Sequence, residues 1–252
     1  MYRVRKSWND STTQLGAYEV LDNAIAICNQ NPGYFVFDEE GNVVHGNEVN
    51  QSANTEIRTM SYKAKLKKRI NSKHTAGEKV TVTINRQREW VLTDGTVVPN
   101  RNYLDLTKQL YDPDCRYPKA DAEKWVNSQG FSSPTPYLFW ANKWCQRVYI
   151  FKGKKGAWEL IKVYKCGTGK ISDGDGGDPG VYFSAKIWDK HKTYQGPRGM
   201  LYWVMHYSSK WGNAIHKGVV GKPSTHGCIA LADKQVRWVY DNLPLNTRVI
   251  LF

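Results

Sequence analysis

The chain has 252 residues and a mass of 28.9 kDa; it is 40% hydrophobic and 13% aromatic, and 36 Lys and Arg against 23 Asp and Glu give a formal net charge of +13. These values exclude a disordered or collagen-like chain and allow one or two buried cores, while ten Trp, fifteen Tyr and 21 Gly fit short strands and tight turns around aromatic interiors. Polyanions are expected neighbours of such a field, but no Arg/Lys block sits in a recognition motif, so nucleic acid is not expected as a partner.

Five cysteines at 28, 115, 145, 166 and 228 are too few and too scattered for a disulfide framework, and none form a CxxC pair. No run of 18 apolar residues is present and no basic-then-apolar leader opens the chain, so neither a transmembrane segment nor a leader is expected.

The first segment opens with Tyr2 to Lys6, read as a strand. Ala17, Val20, Leu21, Ala24, Ile25 and Cys28 follow at helical spacing, which predicts one apolar stripe ended by Asn31-Pro32-Gly33. Tyr34 to Phe37 and Asn42 to His45 read as two strands around a turn at Gly41, so residues 1–48 are expected to form a small α+β module of order βαββ. Cys28 lies on the stripe as a small hydrophobe.

Residues 47 to 58 are polar and aperiodic and read as a linker. Residues 58–108 carry a basic run with Lys63, Lys65, Lys67, Lys68 and Arg69, then alternating strands at Val80 to Ile84, Trp90 to Leu92 and Val97-Val98 around Asp94-Gly95. Such spacing fits a small antiparallel barrel, with the basic run as a solvated strand edge or an anion-binding face. Residues 109–136 read as a connector with a short helix from Lys119 to Asn127.

From Tyr137 the strands lengthen. Arg147 to Phe151 and Trp158 to Tyr164 predict a long hairpin over Gly153 to Gly156, which brings Cys145 and Cys166 onto opposite arms. Trp203 to Met205 and Ala214-Ile215 continue the strands; Asp233 is expected to cap a helix carrying Val236, Val239 and Tyr240, and Val249 to Phe252 closes the chain. The fold class is therefore mainly β, with 137–252 as a β-sandwich.

The densest chemistry lies in Ala214-Ile215-His216-Lys217 and Ser224-Thr225-His226-Gly227-Cys228. A thiol that starts near a pKa of about 8.5 needs a neighbouring base or cation to act as a nucleophile, and His216 stands at the end of a predicted strand, within looping distance of Cys228. Gly227 allows a sharp turn that aims amide N–H groups around 227 and 228 at an oxyanion. Ser224 and Thr225 are turn residues that can also orient the imidazole. Two alternatives start from the same residues: Cys228 as an inert buried thiol, and a zinc site drawn from His206, His216, His226 and Cys228, for which the nearest preceding acid is Asp189. A metal-free thiol site, with no cofactor, fits the composition of the cluster best.

His216 followed by Thr225-His226-Gly227-Cys228 resembles the signature of L,D-transpeptidases of the YkuD type, and the resemblance extends over about 137–252, including Asp178-Pro179-Gly180 and the closing Leu243 to Val249. It implies a β-sandwich with Cys228 as nucleophile, His216 as base and His226 as a further motif histidine, acting on peptidoglycan stem peptides to form L,D-cross-links through a thioester. A carboxypeptidase or endopeptidase, or a non-catalytic wall-binding protein, would share these features. Where the family commonly has Arg two positions after the cysteine this chain has Ala230, which leaves Lys217, Lys222 or Arg237 to bind a substrate carboxylate. Residues 1–48 resemble SPOR-like peptidoglycan-binding tails, and 58–108 resemble a bacterial SH3 module. Both imply cell-wall attachment, with anionic wall polymers as a second class of partner; the protein is expected to be extracellular and monomeric.

Aromatic residues crowd the segment before His216, with Trp211 and Tyr207 expected in the cleft and Trp203 inside. Asp173, Asp175 and Asp178 have the spacing of an oxygen-rich loop but lack the rest of a calcium site, and read as solvated.

Overall fold

A computed structural model of the chain describes residues 1–31, 33–47, 57–85, 88–171, 182–209 and 212–252. The described residues are mainly β and divide into two compact units, Met1–Glu56 and Ile57–Phe252.

The first unit consists of β1 (Tyr2–Arg5), β2 (Gly16–Tyr18), α1 (Leu21–Gln30), β3 (Tyr34–Phe37) and β4 (Val43–Asn47), in an antiparallel sheet of order β2-β1-β3-β4. Ala24 and Cys28 of α1 pack on Val4 and Val36, and the Cys28 thiol donates to the Tyr34 carbonyl at 3.1 Å. The predicted stripe starts too early. Ala17 lies in β2 opposite Arg3, and Val20 is an exposed, extended cap. A short strand that finds a partner in β1 takes precedence over a helical pattern with no buried face yet to fill. The polar linker lies almost entirely in residues 48–56, outside the described ones.

The second unit begins with β5 (Ser61–Leu66), β6 (Lys79–Ile84), β7 (Trp90–Leu92), β8 (Val97–Val98) and β9 (Leu104–Leu110), antiparallel in the order β8-β7-β6-β5-β9. On β5, Tyr62, Ala64 and Leu66 are buried and Lys63 and Lys65 exposed. The start of the basic run is thus the wet face of a central strand and not a strand edge.

After α2 (Lys119–Ser128) come β10 (Tyr137–Asn142), β11 (Arg147–Lys154), β12 (Ala157–Gly167), β13 (Tyr182–Lys186), β14 (Asp189–Gly196), β15 (Gly199–His206), β16 (Ala214–Lys217), β17 (Ile229–Leu231), α3 (Asp233–Asn242) and β18 (Arg248–Leu251). These strands hydrogen-bond into one nine-stranded sheet, ordered β13-β18-β10-β11-β12-β17-β16-β15-β14. Successive residues of a strand face opposite ways, and along β10 and most of β11 both faces are covered. Phe139, Ala141, Val148 and Ile150 face a cluster with Val236 and Val239 of α3. Leu138, Trp140, Tyr149 and Phe151 face a cluster that includes Tyr62, Leu66, Val82, Trp90 and Leu104 of the five-stranded sheet. Strands buried on both faces read as continuous apolar runs, as β10 does.

That second cluster crosses the expected boundaries near 108 and 136. The segment read as a connector supplies Tyr117, Ala122, Val126 and Phe131, all buried, and Trp125 stacks on Trp140 at 4.3 Å and on Phe252 at 5.3 Å. Its prolines and charges conceal a helix face that closes the core. Polar ties follow the same path: the Tyr117 hydroxyl accepts from Arg58 N at 2.8 Å, and Tyr117 N donates to the Tyr149 hydroxyl at 2.9 Å.

One smaller expectation changes: Asp233 is the first residue of α3 and not its cap, which is Ala232 without a side-chain bond. Cys145 and Cys166 are both buried and unbonded, the favoured reading of two cysteines on opposite arms of the hairpin, and on its other side Cys166 pairs with Leu231 of β17.

If the second unit depends on this shared core, residues 57–252 alone unfold in one cooperative transition. Residues 137–252 alone expose Leu138, Trp140, Tyr149 and Phe151, each contributing about 1.5–3 kcal/mol when buried. That fragment is expected to bind 8-anilinonaphthalene-1-sulfonate and to show no sharp melt by circular dichroism.

Candidate active site

The site is built on a short parallel pairing. Strands β16 and β17 align Ile215 with Ile229, His216 with Ala230 and Lys217 with Leu231, so Cys228, which leads into β17, comes beside Ala214. Cys228 Sγ accepts a hydrogen bond from Ala214 N at 3.5 Å. By the two-residue period His216 lies on the same sheet face as Ala214, and Ile215 and Lys217 face the other way.

The His216 ring is fixed by its own strand. Nδ1 lies 2.7 Å from the Lys217 carbonyl oxygen, and because a carbonyl only accepts, Nδ1 carries the proton of the neutral ring and Nε2 keeps its lone pair. This is the tautomer a general base needs. Burial pushes the His216 pKa down, with the Lys217 carbonyl opposing, and burial pushes the Cys228 thiol up, with the Ala214 amide opposing. Both shifts disfavour charge, so thiol and imidazole rest as a neutral pair.

The turn before Cys228 is held from three sides. Gly227 has φ +134, and a Cβ there would lie 2.7 Å from Asn213 Oδ1, so glycine is required on both counts. The Tyr207 hydroxyl donates to the Gly227 carbonyl at 2.6 Å, and Thr225 Oγ1 donates to the Cys228 carbonyl at 2.7 Å. Behind the turn, Thr168 O accepts from Ser224 N and Thr225 N, and Lys170 N donates to Thr225 O. Gln109 of β9 then ties residues 169–171 in place, donating to Gly169 O at 2.8 Å and accepting from Ile171 N at 2.9 Å. The five-stranded sheet therefore braces the turn before Cys228 through one side chain.

The residues chosen from sequence fall into distinct places. His216 lies on β16 and Cys228 at the start of the neighbouring β17 segment, two positions out of register, and Gly227 precedes Cys228; His226 is exposed on the same turn. Gly227 acts through its conformation, since its N–H bonds to Thr225 Oγ1 at 3.3 Å within the turn and is not aimed at an oxyanion. Tyr207 and Thr225 are buried supports and not cleft lining, while Ser224 bonds Val219 O at 3.1 Å and closes the preceding loop. Lys217 and Arg237 lie toward α3, both held by Asp233 at 3.1 and 2.9 Å, with Arg237 over the Trp203 ring. They face away from the His216 side, so of the three candidate carboxylate binders the exposed Lys222 is left. Trp211, Asp173, Asp175, Asp178 and Pro179 to Val181 lie outside the described residues.

The zinc set drawn from His206, His216, His226 and Cys228 does not assemble. Among the described residues the one group of three or more such side chains with donor atoms within 4.8 Å is Asp189, His191 and His206. Sequence reading missed Ala214 N, the Tyr207 bond to Gly227 and the Gln109 brace. The first is a backbone contact, and the other two depend on pairings far apart in sequence, so none leaves a local signal.

The family model of the YkuD L,D-transpeptidase catalytic domain matches residues 136–251. Among solved structures the chain is similar to a fused Zn-dependent amidase/peptidase/peptidoglycan-binding domain-containing protein from Clostridium acetobutylicum ATCC 824, at 23% identity and TM-score 0.42 over 53% of this chain and 59% of that one. It is also similar to an L,D-transpeptidase from Mycobacterium smegmatis (16%, TM-score 0.38, 46% and 58%) and to one from Stackebrandtia nassauensis (18%, TM-score 0.39, 50% and 59%). The aligned part thus spans less than two thirds of each of these chains. No curated protein matches this chain.

A neutral pair predicts a particular alkylation profile. Labelling of Cys228 by iodoacetamide, followed by peptide mass, is expected to climb through and beyond pH about 8.5, the ordinary thiol value. A plateau already reached near neutrality would instead indicate a thiolate–imidazolium pair.

Proposed function

We propose that residues 137–252 catalyse cysteine-dependent acyl transfer on peptidoglycan stem peptides, forming L,D-cross-links through a thioester on Cys228. The observation that carries this reading is the His216 ring, anchored at Nδ1 by the Lys217 carbonyl and on the same sheet face as Ala214, whose N–H meets the Cys228 thiol.

The Cys228 S–H proton passes to His216 Nε2 as sulfur attacks the amide carbonyl carbon of the third residue in a tetrapeptide stem. The tetrahedral intermediate collapses by breaking the C–N bond, and the departing D-amino acid takes the proton from Nε2. An amine of a second stem then attacks the thioester and gives its proton to Nε2, and the sulfur leaves and is reprotonated. The proton that left with the D-amino acid is replaced by the one from the incoming amine, so the site is regenerated. Peptidoglycan as substrate also fits a wall-associated site of action, and no helix among the described residues is long and apolar enough to cross a membrane.

The front of the chain is assigned to attachment. We take 1–48 as a SPOR-like module and 58–108 as an SH3-like one, with the segment 51–108 carrying 12 basic and 5 acidic residues and the lysines of β5 turned to solvent, suited to an anionic wall polymer.

Incubation with tetrapeptide muropeptides tests the reading. Intact mass should show a tripeptide acyl adduct, and chromatography should show cross-linked dimers. Cys228→Ala removes both, and His216→Ala slows adduct formation by about 10²–10⁴-fold. Tripeptide monomers without dimers would make the protein a hydrolase. Sedimentation with wall but no adduct or product would make it a binding protein.

A further inference from the structure

We propose that Asp189, His191 and His206 form a binding site for a divalent transition-metal ion, with Zn²⁺ the best fit, on the β14–β15 hairpin and separate from the thiol centre.

The register brings the three together. Asp189 lies directly opposite His206 in the antiparallel pairing, and His191, two residues along β14, shares the face of Asp189. Their donor atoms all lie within 4.8 Å of one another. Asp189 Oδ2 is 2.6 Å from His191 Nε2 and 3.9 Å from His206 Nδ1. Two ligands each about 2.0–2.2 Å from a shared zinc ion stand about 3.3 Å apart in a tetrahedron. Small side-chain rotations, chiefly of the half-exposed His191, bring all three to that spacing.

His206 supplies the independent observation. Its side chain is 4% exposed, yet Nδ1 has no hydrogen-bond partner. Asp189 Oδ2 at 3.9 Å is too far to bond it directly but stands where a second ligand of one ion would. A buried polar atom left unpaired costs about 1–3 kcal/mol and is rare in folded proteins. A metal ion bridging the gap would satisfy it.

The surroundings are those of a held ligand set. Asp189 Oδ1 accepts from Lys190 N at 2.8 Å, which orients the carboxylate with Oδ2 toward the histidines. Trp188 and Tyr194 flank the His206 ring at 5.4 and 4.7 Å between centroids, walling it from solvent. Two imidazoles and one carboxylate are the donor set of sites that keep a coordination position open. The site is also distinct from the nucleophile: His206 pairs with Ala214, whose amide reaches Cys228, so ion and thiol lie two strand spacings apart, about 10 Å.

The test uses the full chain, stripped of metal and titrated with Zn²⁺ by calorimetry and with Co²⁺ by visible absorption. One equivalent should bind, with ligand-field bands of an N/O site and no sulfur-to-cobalt charge transfer. His191→Ala and Asp189→Asn, both at half-exposed positions, and His206→Gln should each weaken binding at least tenfold, while Cys228→Ala leaves affinity and spectrum unchanged. Absence of binding to the unaltered protein, or full affinity in His191→Ala and Asp189→Asn, overturns the proposal. So does a charge-transfer band lost in Cys228→Ala, which would place the ion on the thiol.

Discussion

The parallel register between β16 and β17 is the constraint on which the rest of the structure depends. Three residue pairs fix it, and a slip of one residue would turn His216 to the α3 side and leave the thiol with no base on its face. So short a pairing cannot hold itself. It is sustained by Ile215, Ile229 and Leu231, buried under Val236 and Val239 of α3, and by the bonds that fix the turn before Cys228. The apolar face sets the register, and the polar face uses it.

The core on the far side of the sheet matters for the same reason. Strands β10 and β11 are buried on both faces, so the half of the chain that holds the chemistry cannot complete its interior alone. The five-stranded sheet and α2 cover Trp140, Tyr149 and Phe151, and Gln109 extends that support to the loop bonded to Thr225. What reads in sequence as an appended module is, in its packing, part of the foundation of the site. Attachment and bracing are compatible on one sheet, because the alternation of β5 puts Tyr62, Ala64 and Leu66 inward and Lys63 and Lys65 outward.

Much of this was legible where local chemistry decides structure. Cys228 and His216 stood out because a glycine before a cysteine, with a histidine on the preceding strand, is an arrangement with a chemical use. The β11–β12 hairpin and α3 followed from their periodicity. The misplacements share one cause, which is that sheet partners decide what a residue faces. Ala17 matched a helical stripe but had a strand beside it. Lys217 was one residue from His216 and therefore on the opposite face. Tyr207 looked like an exposed aromatic, yet its hydroxyl had a buried carbonyl to satisfy. The chain from 117 to 131 hid four core positions among charges and prolines.

The electrostatics of the thiol follow from the same burial. A site that lowered the cysteine pKa would hold a ready thiolate, but thiolates lose nucleophilicity as their pKa falls, with a Brønsted coefficient of about 0.4–0.5. Burial instead raises the Cys228 pKa, which in the proposed mechanism leaves a strong nucleophile at low population. In that mechanism the imidazole has to remove the proton as the bond to carbon forms, which requires Nε2 to be free and the ring not to turn. The Lys217 carbonyl meets both requirements, because it holds the proton on Nδ1 and fixes the plane of the ring. Backbone geometry alone thus performs the orienting task that a third side chain performs in other nucleophile–base pairs, and no acidic residue near the thiol is needed to explain how the pair would work.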